Sequence, residues 1–336
     1  MSSSPGAPVS WSMRKWAAPV VLVGLIGVIA LRAWSNENLE PLRGQMQDLF
    51  TLSLALLVES LPFIVLGISL AIVVQVFIPP SWLHSWLPTN PFARRAIVSL
   101  FGIVLPVCEC GNVPLARGLM GRGYSVGDSL TFLLAAPIVN PITIITTYQA
   151  FGFDDGILVA RIVAGYVIAN LLGWLLSRHP EPEKLLTTRF ARECKVAPSE
   201  KSASKWQQVS SLFISESTAL MPALTVGALI AGAIQVGVPR DTLLALGSDP
   251  LISVLALIAL AFIISVCASV DAFYILPFAQ TFLPGSIVAF LVFGPLIDVK
   301  MVALLRTTYT MRTIGLIAAV VGLASLLLGT VMNSVV

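Results

Sequence analysis

The stretch LPVCECGNVP, residues 105–114, interrupts a chain that is otherwise strongly apolar. It places Cys108, Glu109, Cys110 and Asn112 between two prolines. Proline removes a backbone donor and breaks a helix, and polar groups inside a bilayer are costly and usually functional. The stretch therefore predicts a broken membrane helix that carries a polar, thiol-bearing site.

The composition of the chain is that of a membrane protein. Of its 336 residues, 57% are hydrophobic and only 11% are charged, with a mean hydropathy of +0.90, whereas a soluble domain has about a quarter charged residues. The net charge of +3 is too small to indicate nucleic-acid binding, and four cysteines are too few for a disulfide scaffold. The predicted partners are the lipid bilayer and a small-molecule or ionic substrate, with no nucleic acid, metal or cofactor. A homo-oligomer is compatible with this composition.

Apolar runs of about 20 residues predict membrane helices. Continuous runs lie near 16–33, 50–78, 128–151, 156–177, 211–237, 284–305 and 313–335. Two further runs, roughly 97–120 and 251–280, are apolar but interrupted. The run at 16–33 predicts a retained first helix, because no small-residue cleavage pattern follows it. The charged, proline-containing stretch 178–208 predicts an exposed linker.

The two sides of this linker are related in sequence. PFIVLGISLAIVVQVFIP, beginning at residue 62, aligns with PALTVGALIAGAIQVGVP at an offset of 160 residues. VCECGNVP then aligns with VCASVDAF at an offset of 159, which matches Cys108 with Cys267 and Asn112 with Asp271. APIVNPI aligns with GPLIDVK at an offset of 158, and so Asn140 matches Asp298. Because prolines, glycines and polar residues agree in order, we infer an internal duplication.

The basic residues favour repeats of opposite orientation. If both broken segments re-enter and return to one side, most Arg and Lys residues lie on the same side of the membrane, as the positive-inside rule requires. The predicted fold is an all-α polytopic membrane protein with two inverted repeats, each with a broken or re-entrant helical hairpin, plus an extra N-terminal helix. The predicted divisions are 1–47 (N-terminal tail and first transmembrane helix), 48–177 (repeat 1), 178–209 (cytoplasmic linker) and 210–336 (repeat 2).

The broken segments are the predicted substrate site, because irregular backbone in a bilayer is buried in protein or lines a cavity. The candidate substrate-binding residues are Cys108, Glu109, Cys110, Asn112, Asn140, Cys267, Asp271 and Asp298. Candidates for coupling to an ion gradient are Asp271, since an intramembrane carboxylate is costly, and Glu59 and Glu216 in the two long helices. Buried packing of the cysteines and interhelical bonding of the polar residues are the structural alternatives. Arg161 lies near a helix end and is expected to snorkel.

The segment LPVCECGNVPLARGLMGRGYSVGDSLTFLLAAPIVNPITI, residues 105–144, resembles the predicted-permease family that includes the organoarsenical efflux permease ArsP. The pattern C-x-C-G-x-x-P followed by A-P-x-x-N-P carries the resemblance. It implies a polytopic permease of the inner cell membrane. For the arsenical branch it implies export of trivalent organoarsenicals, with Cys108 and Cys110, and more remotely Cys267, as ligands.

The predicted function is a secondary transporter rather than an enzyme, moving a trivalent organoarsenical or another thiol-reactive or anionic solute. The sequence contains no G-x-x-x-x-G-K-[ST] motif, so the chain itself is not predicted to use ATP. The alternative is a transmembrane thiol–disulfide oxidoreductase using Cys108 and Cys267, although C-x-x-C is absent. A channel or a structural membrane subunit is the third hypothesis.

Overall fold

The structure, a computed structural model, describes residues 44–79, 88–105, 107–153, 156–196, 204–237 and 250–335. The predicted first helix and Pro106 lie outside these residues. The described part of the chain is helical, and its only β-structure is an isolated bridge between Leu186 and Tyr309. Five of its helical segments are long and apolar enough to cross a membrane: Gly44–Phe77, Ile157–Ser177, Lys205–Gly237, Pro284–Leu305 and Met311–Ser334.

The α-helices of the described residues, in chain order, are α1 Gly44–Ile72, α2 Pro91–Ser99, α3 Phe101–Val104, α4 Glu109–Gly121, α5 Val126–Ala135, α6 Pro141–Phe151, α7 Ile157–Ser177, α8 Thr188–Val196, α9 Lys205–Gly237, α10 Pro250–Ile264, α11 Asp271–Ile275, α12 Pro284–Leu296, α13 Val299–Leu305 and α14 Met311–Val335. A π-helical turn, Val73–Phe77, continues α1. Short 3-10 turns, Pro182–Leu185 and Leu276–Gln280, precede α8 and follow α11.

The prediction of one continuous helix over 128–151 is wrong. The chain leaves the helix after Ala135 and begins a new one at Pro141. The physical reason is the cap: the Asn140 side chain accepts the Ile142 N–H and starts α6. The same division occurs in the second half, where Asp298 caps α13.

The linker is partly docked on the helical bundle. Leu185 and Phe190 are buried, and the Thr187 N–H donates to the Thr308 carbonyl at 2.9 Å. The expectation of an exposed linker is therefore wrong at Leu185, Leu186 and Phe190, whose apolar side chains are buried. We call the face of the bundle that these residues cover the linker side.

The long helices α1 and α9 pack along each other, and each also packs on one short helix. On α1, Gly67 lies against the backbone of Gly111 in α4, where a Cβ would clash. On α9, Gly227 lies against Lys300 and Ala303 of α13, and a Cβ there would come within 2.8 Å of the Ala303 Cβ. The two glycines that the alignment matches thus bring the long helices close to α4 and α13.

Candidate functional site

A buried cluster of thiols forms where the two broken segments meet. The thiol of Cys108 lies close to the thiols of Cys110 and Cys267, and the Cys267 thiol donates to Oε2 of Glu109 at 3.5 Å. The ligand atoms of Cys108, Glu109 and Cys267 all lie within 4.8 Å of one another. Thiolate sulfurs bind soft metals and metalloids, so this donor set can hold a soft cation or a metalloid. All three cysteines are free thiols.

Lys300 supplies the positive charge of the cluster. Its Nζ lies 3.4 Å from Oε1 of Glu109, and the two side chains are only 1% and 2% exposed. The ammonium also interacts electrostatically with Cys110 and Cys267. Asp298 accepts the Met301 backbone N–H at the start of α13, and it also interacts electrostatically with Lys300.

A second buried ion pair adjoins the first. Nη1 and Nη2 of Arg161 donate to the two carboxylate oxygens of Asp271 at 2.9 and 2.7 Å. Nη1 also donates to Oγ1 of Thr147 at 2.7 Å, and Nη2 to the Ala268 carbonyl at 3.4 Å. Arg161 is 1% exposed, so the expectation that it snorkels is wrong. It turns inward because Asp271 offers a bidentate partner, and Glu109 acts electrostatically on that same aspartate.

Two asparagines hold the backbone of the first broken segment. Nδ2 of Asn112 and Nδ2 of Asn140 both donate to the Val107 carbonyl, at 3.4 and 3.3 Å. Oδ1 of Asn112 and Oδ2 of Asp298 are buried without a hydrogen-bond partner among the described residues. Unsatisfied buried oxygens are costly, so these two atoms mark positions where a solute or water would be stabilised.

Glu216 lies in a separate cluster on the linker side. Arg117, late in α4, donates to Glu216 at 2.7 Å and to Glu193 of the linker helix α8 at 3.2 Å. It also donates to the Thr307 carbonyl at 3.2 Å, and its guanidinium lies 4.2 Å from the ring centroid of Phe190. This arginine therefore joins α4, α9, the end of α13 and the linker.

Glu59 differs from Glu216 in its surroundings. It is exposed on the surface of α1, yet it interacts electrostatically with Lys300 and Glu109. Of the three residues predicted to couple transport to an ion gradient, Asp271 and Glu59 adjoin the thiol cluster and Glu216 does not.

Two charge pairs and one hydrogen bond of this site were not predicted from the sequence. The signal that could have predicted the two pairs is the presence of isolated charges of opposite sign in apolar runs, because charges inside a bilayer usually pair. These charges are Arg161 with Asp271 and Lys300 with Glu109. The hydroxyl of Ser60 accepts a hydrogen bond from the Cys110 thiol at 3.7 Å. Nothing in the sequence around Ser60 indicates this contact.

A family model described as a predicted permease, ArsP_1, matches residues 45–334. The chain belongs to this predicted-permease family. The match confirms the resemblance carried by residues 105–144. Together with the five apolar helices of the described residues, it identifies a multi-pass membrane protein, consistent with the inner membrane.

Two relatives of this permease align with most of the chain. UPF0718 protein YcgR of Bacillus subtilis is 32% identical over 276 residues, which are 81% of this chain and 92% of YcgR. A Streptococcus mutans protein, named as a subunit of a two-component membrane permease complex, is 29% identical over 265 residues, 78% of this chain and 87% of its own. No solved structure matches the chain. The names indicate transport rather than catalysis and lend no support to the oxidoreductase alternative.

Proposed function

We propose that this permease is a secondary transporter that exports a small thiol-reactive or anionic solute from a site bounded by Cys108, Cys267 and Lys300. The observation that carries the proposal is the buried cluster itself, in which Glu109 contacts both Cys267 and Lys300. Thiols are ligands for soft metalloids, and an ammonium is a ligand for anions. Membership of the permease family supports transport, and the cluster supports these two classes of solute.

The proposed architecture is the pair of inverted repeats, 48–177 and 210–336, on either side of a cytoplasmic linker. Both ends of the first broken segment lie near the linker side. Arg95, in the middle of α2, donates to Ser177 at the end of α7 (3.3 Å), and Arg117, late in α4, contacts Glu193 of the linker. These contacts support a hairpin that opens toward the linker side.

Contacts of the second broken segment support the opposite orientation. The helix α14 begins beside the linker, where Thr313 donates to the Leu185 carbonyl at 3.0 Å. Its other end, at Asn333, lies about 30 Å away, since a helix rises about 1.5 Å per residue. There Asn333 donates to Ser286, which is hydrogen-bonded to Ser253 of α10 at 2.8 Å. We call this end of the bundle the far side, and the second hairpin is proposed to open toward it.

Trivalent organoarsenicals are the solutes that suit the thiols best. A solute with two As–OH groups exchanges them for two As–S bonds to Cys108 and Cys267, and each hydroxyl leaves as water with the proton of one thiol. The exchange needs no oxidant or reductant, and two waters reverse it on release. Asp271, held by Arg161, is the proposed coupling carboxylate, with Glu59 and Glu216 assisting.

The double variant Cys108→Ser/Cys267→Ser is expected to lose protection against trivalent organoarsenicals. The reason is that a serine hydroxyl is a poor ligand for a soft metalloid. The measurement is growth inhibition in a bacterial strain lacking its own arsenical efflux. The matched control is Cys194→Ser in the linker helix, a free thiol that lies outside the buried cluster.

Two outcomes would change this assignment. If the unaltered protein protects against no soft metalloid, the arsenical proposal is wrong, and efflux of anions from proteoliposomes becomes the deciding assay. If Cys108 and Cys267 form a disulfide that cycles with a thioredoxin partner, the chain is an oxidoreductase.

A second subunit is proposed as a partner, because the Streptococcus mutans relative is named as part of a two-component complex. Affinity purification of the tagged permease from its native membrane is expected to recover a second membrane protein in equal amount. Recovery of this chain alone would contradict the proposal and leave the homo-oligomer.

A further inference from the structure

The long helices α1 and α9 cover only half of the short helices around the site. They pack on α4 and α13, and neither of these exposes a large apolar side chain. The alignment of the two halves matches α4 with α11 and α13 with α6. On α6, Ile142, Ile145 and Tyr148 are exposed, and so are Val270 and Phe273 at the start of α11. The matched helices thus have apolar faces that α1 and α9 do not cover.

On α6, the alignment of the two halves predicts one contact that is not made in this structure. In this structure Gly227 of α9 lies against Ala303 of α13. The alignment matches Gly227 with Gly67 and Ala303 with Ile145. Yet Ile145 is 55% exposed, so the equivalent contact between Gly67 and Ile145 is not made.

The same relation holds at α11. Gly67 of α1 lies against Gly111 of α4, and the alignment matches these residues with Gly227 and Val270. Val270 is 46% exposed, so this equivalent contact is not made either. Both missing contacts involve the glycines whose lack of a Cβ permits close helix packing.

We propose that α1 and α9 alternate between two packings. The packing in this structure, on α4 and α13, closes the linker side. A second packing, on α6 and α11, closes the far side and buries their exposed apolar faces. The inference rests on the proposed function, because it uses the inverted repeats. Two arrangements of one element on either side of a fixed site are how inverted-repeat transporters alternate access.

The Arg117 cluster is the gate that holds the present packing. Arg117 itself lies on α4, its partner Glu216 lies on α9, and its partners Thr307 and Thr308 directly follow α13. Arg117 also donates to Glu193, which connects the linker helix α8 to the same cluster. Opening the linker side therefore requires these bonds to break together, while the site at the start of α4 keeps its position.

Cross-linking of paired cysteines tests the second packing. Val226 and Ala303 line one groove in this structure, and their matched residues are Leu66 and Ile145, both exposed. In membranes, a short bifunctional thiol reagent is expected to cross-link Leu66→Cys/Ile145→Cys within one chain and to block transport. Each single variant controls for reaction with the native thiols, and the pair Leu66→Cys/Val163→Cys, exposed on α1 and α7, is expected to stay unlinked.

Weakening the gate should favour the second packing. Glu193 is 34% exposed, and partly exposed pairs are weak, so Glu193→Gln is expected to raise cross-linking about two- to fivefold. Lys184→Gln, which breaks an exposed ion pair within the linker, is the control and should change nothing.

The outcomes separate this inference from the proposed function. An active transporter that never cross-links at these positions overturns the second packing and leaves transport intact. Cross-linking in a protein that moves no solute supports the second packing and contradicts the proposed function. Cross-links between two chains make this face a dimer interface and overturn the inference, and unchanged cross-linking in Glu193→Gln overturns the gate.

Discussion

Asp271→Leu is expected to lower the free energy of unfolding by about 3–5 kcal/mol, because it leaves Arg161 charged and buried without its partner. Both side chains of the pair are at most 3% exposed, and the two hydrogen bonds between them are bidentate. The measurement is thermal unfolding of the purified protein in nanodiscs. Lys184→Gln is the control: it breaks an ion pair with Glu181 in which both side chains are more than half exposed, and should cost about 1 kcal/mol or less.

The double variant Arg161→Met/Asp271→Leu separates stability from transport. With neither charge left in the core, most of the stability is expected to return. Transport is expected to stay absent, since the coupling carboxylate is gone. A double variant that transports normally would show that Asp271 only holds the helices together, and an Asp271→Leu protein as stable as the original would contradict the ion pair.

Lys300→Met is expected to reduce transport of an anionic solute about 10- to 100-fold. A hydrogen bond to a charged group contributes about 1.5–3 kcal/mol, and each 1.4 kcal/mol corresponds to a factor of ten. The measurement is initial efflux from proteoliposomes at fixed pH gradient. The control is Lys205→Met, an exposed lysine at the start of α9.

Comparison of Lys300→Met with the cysteine variant shows which of the two solute classes is transported. Loss of transport in Lys300→Met with retention in Cys108→Ser/Cys267→Ser indicates an anion, and the reverse indicates a thiol-reactive solute. Because Lys300→Met leaves Glu109 unpaired, Glu109→Gln/Lys300→Met is measured beside it. If the single variant transports both solute classes at the original rate, Lys300 has no part in binding.

The membrane class and the neighbourhood of the two broken segments were predictable from the sequence. Apolar content is a property of composition, and the polar residues between Pro106 and Pro114 identify the interruption, although Pro114 itself lies inside α4. The alignment of Cys108 with Cys267 identified two thiols that the structure brings together. Local chemistry also explains why Asn140 and Asp298 start helices, although the helix breaks they cause were not predicted.

Pairing of the charges was decided only by the tertiary structure. Lys300 contacts Glu109 across 191 positions of the sequence, and Arg161 contacts Asp271 across 110. No local rule selects such partners, because the choice depends on which helices pack and at what depth. Composition and pattern thus determined a membrane protein with a thiol-bearing broken helix. Packing determined which buried charges pair, Lys300 with Glu109 and Arg161 with Asp271, since an unpaired charge in a bilayer is costly.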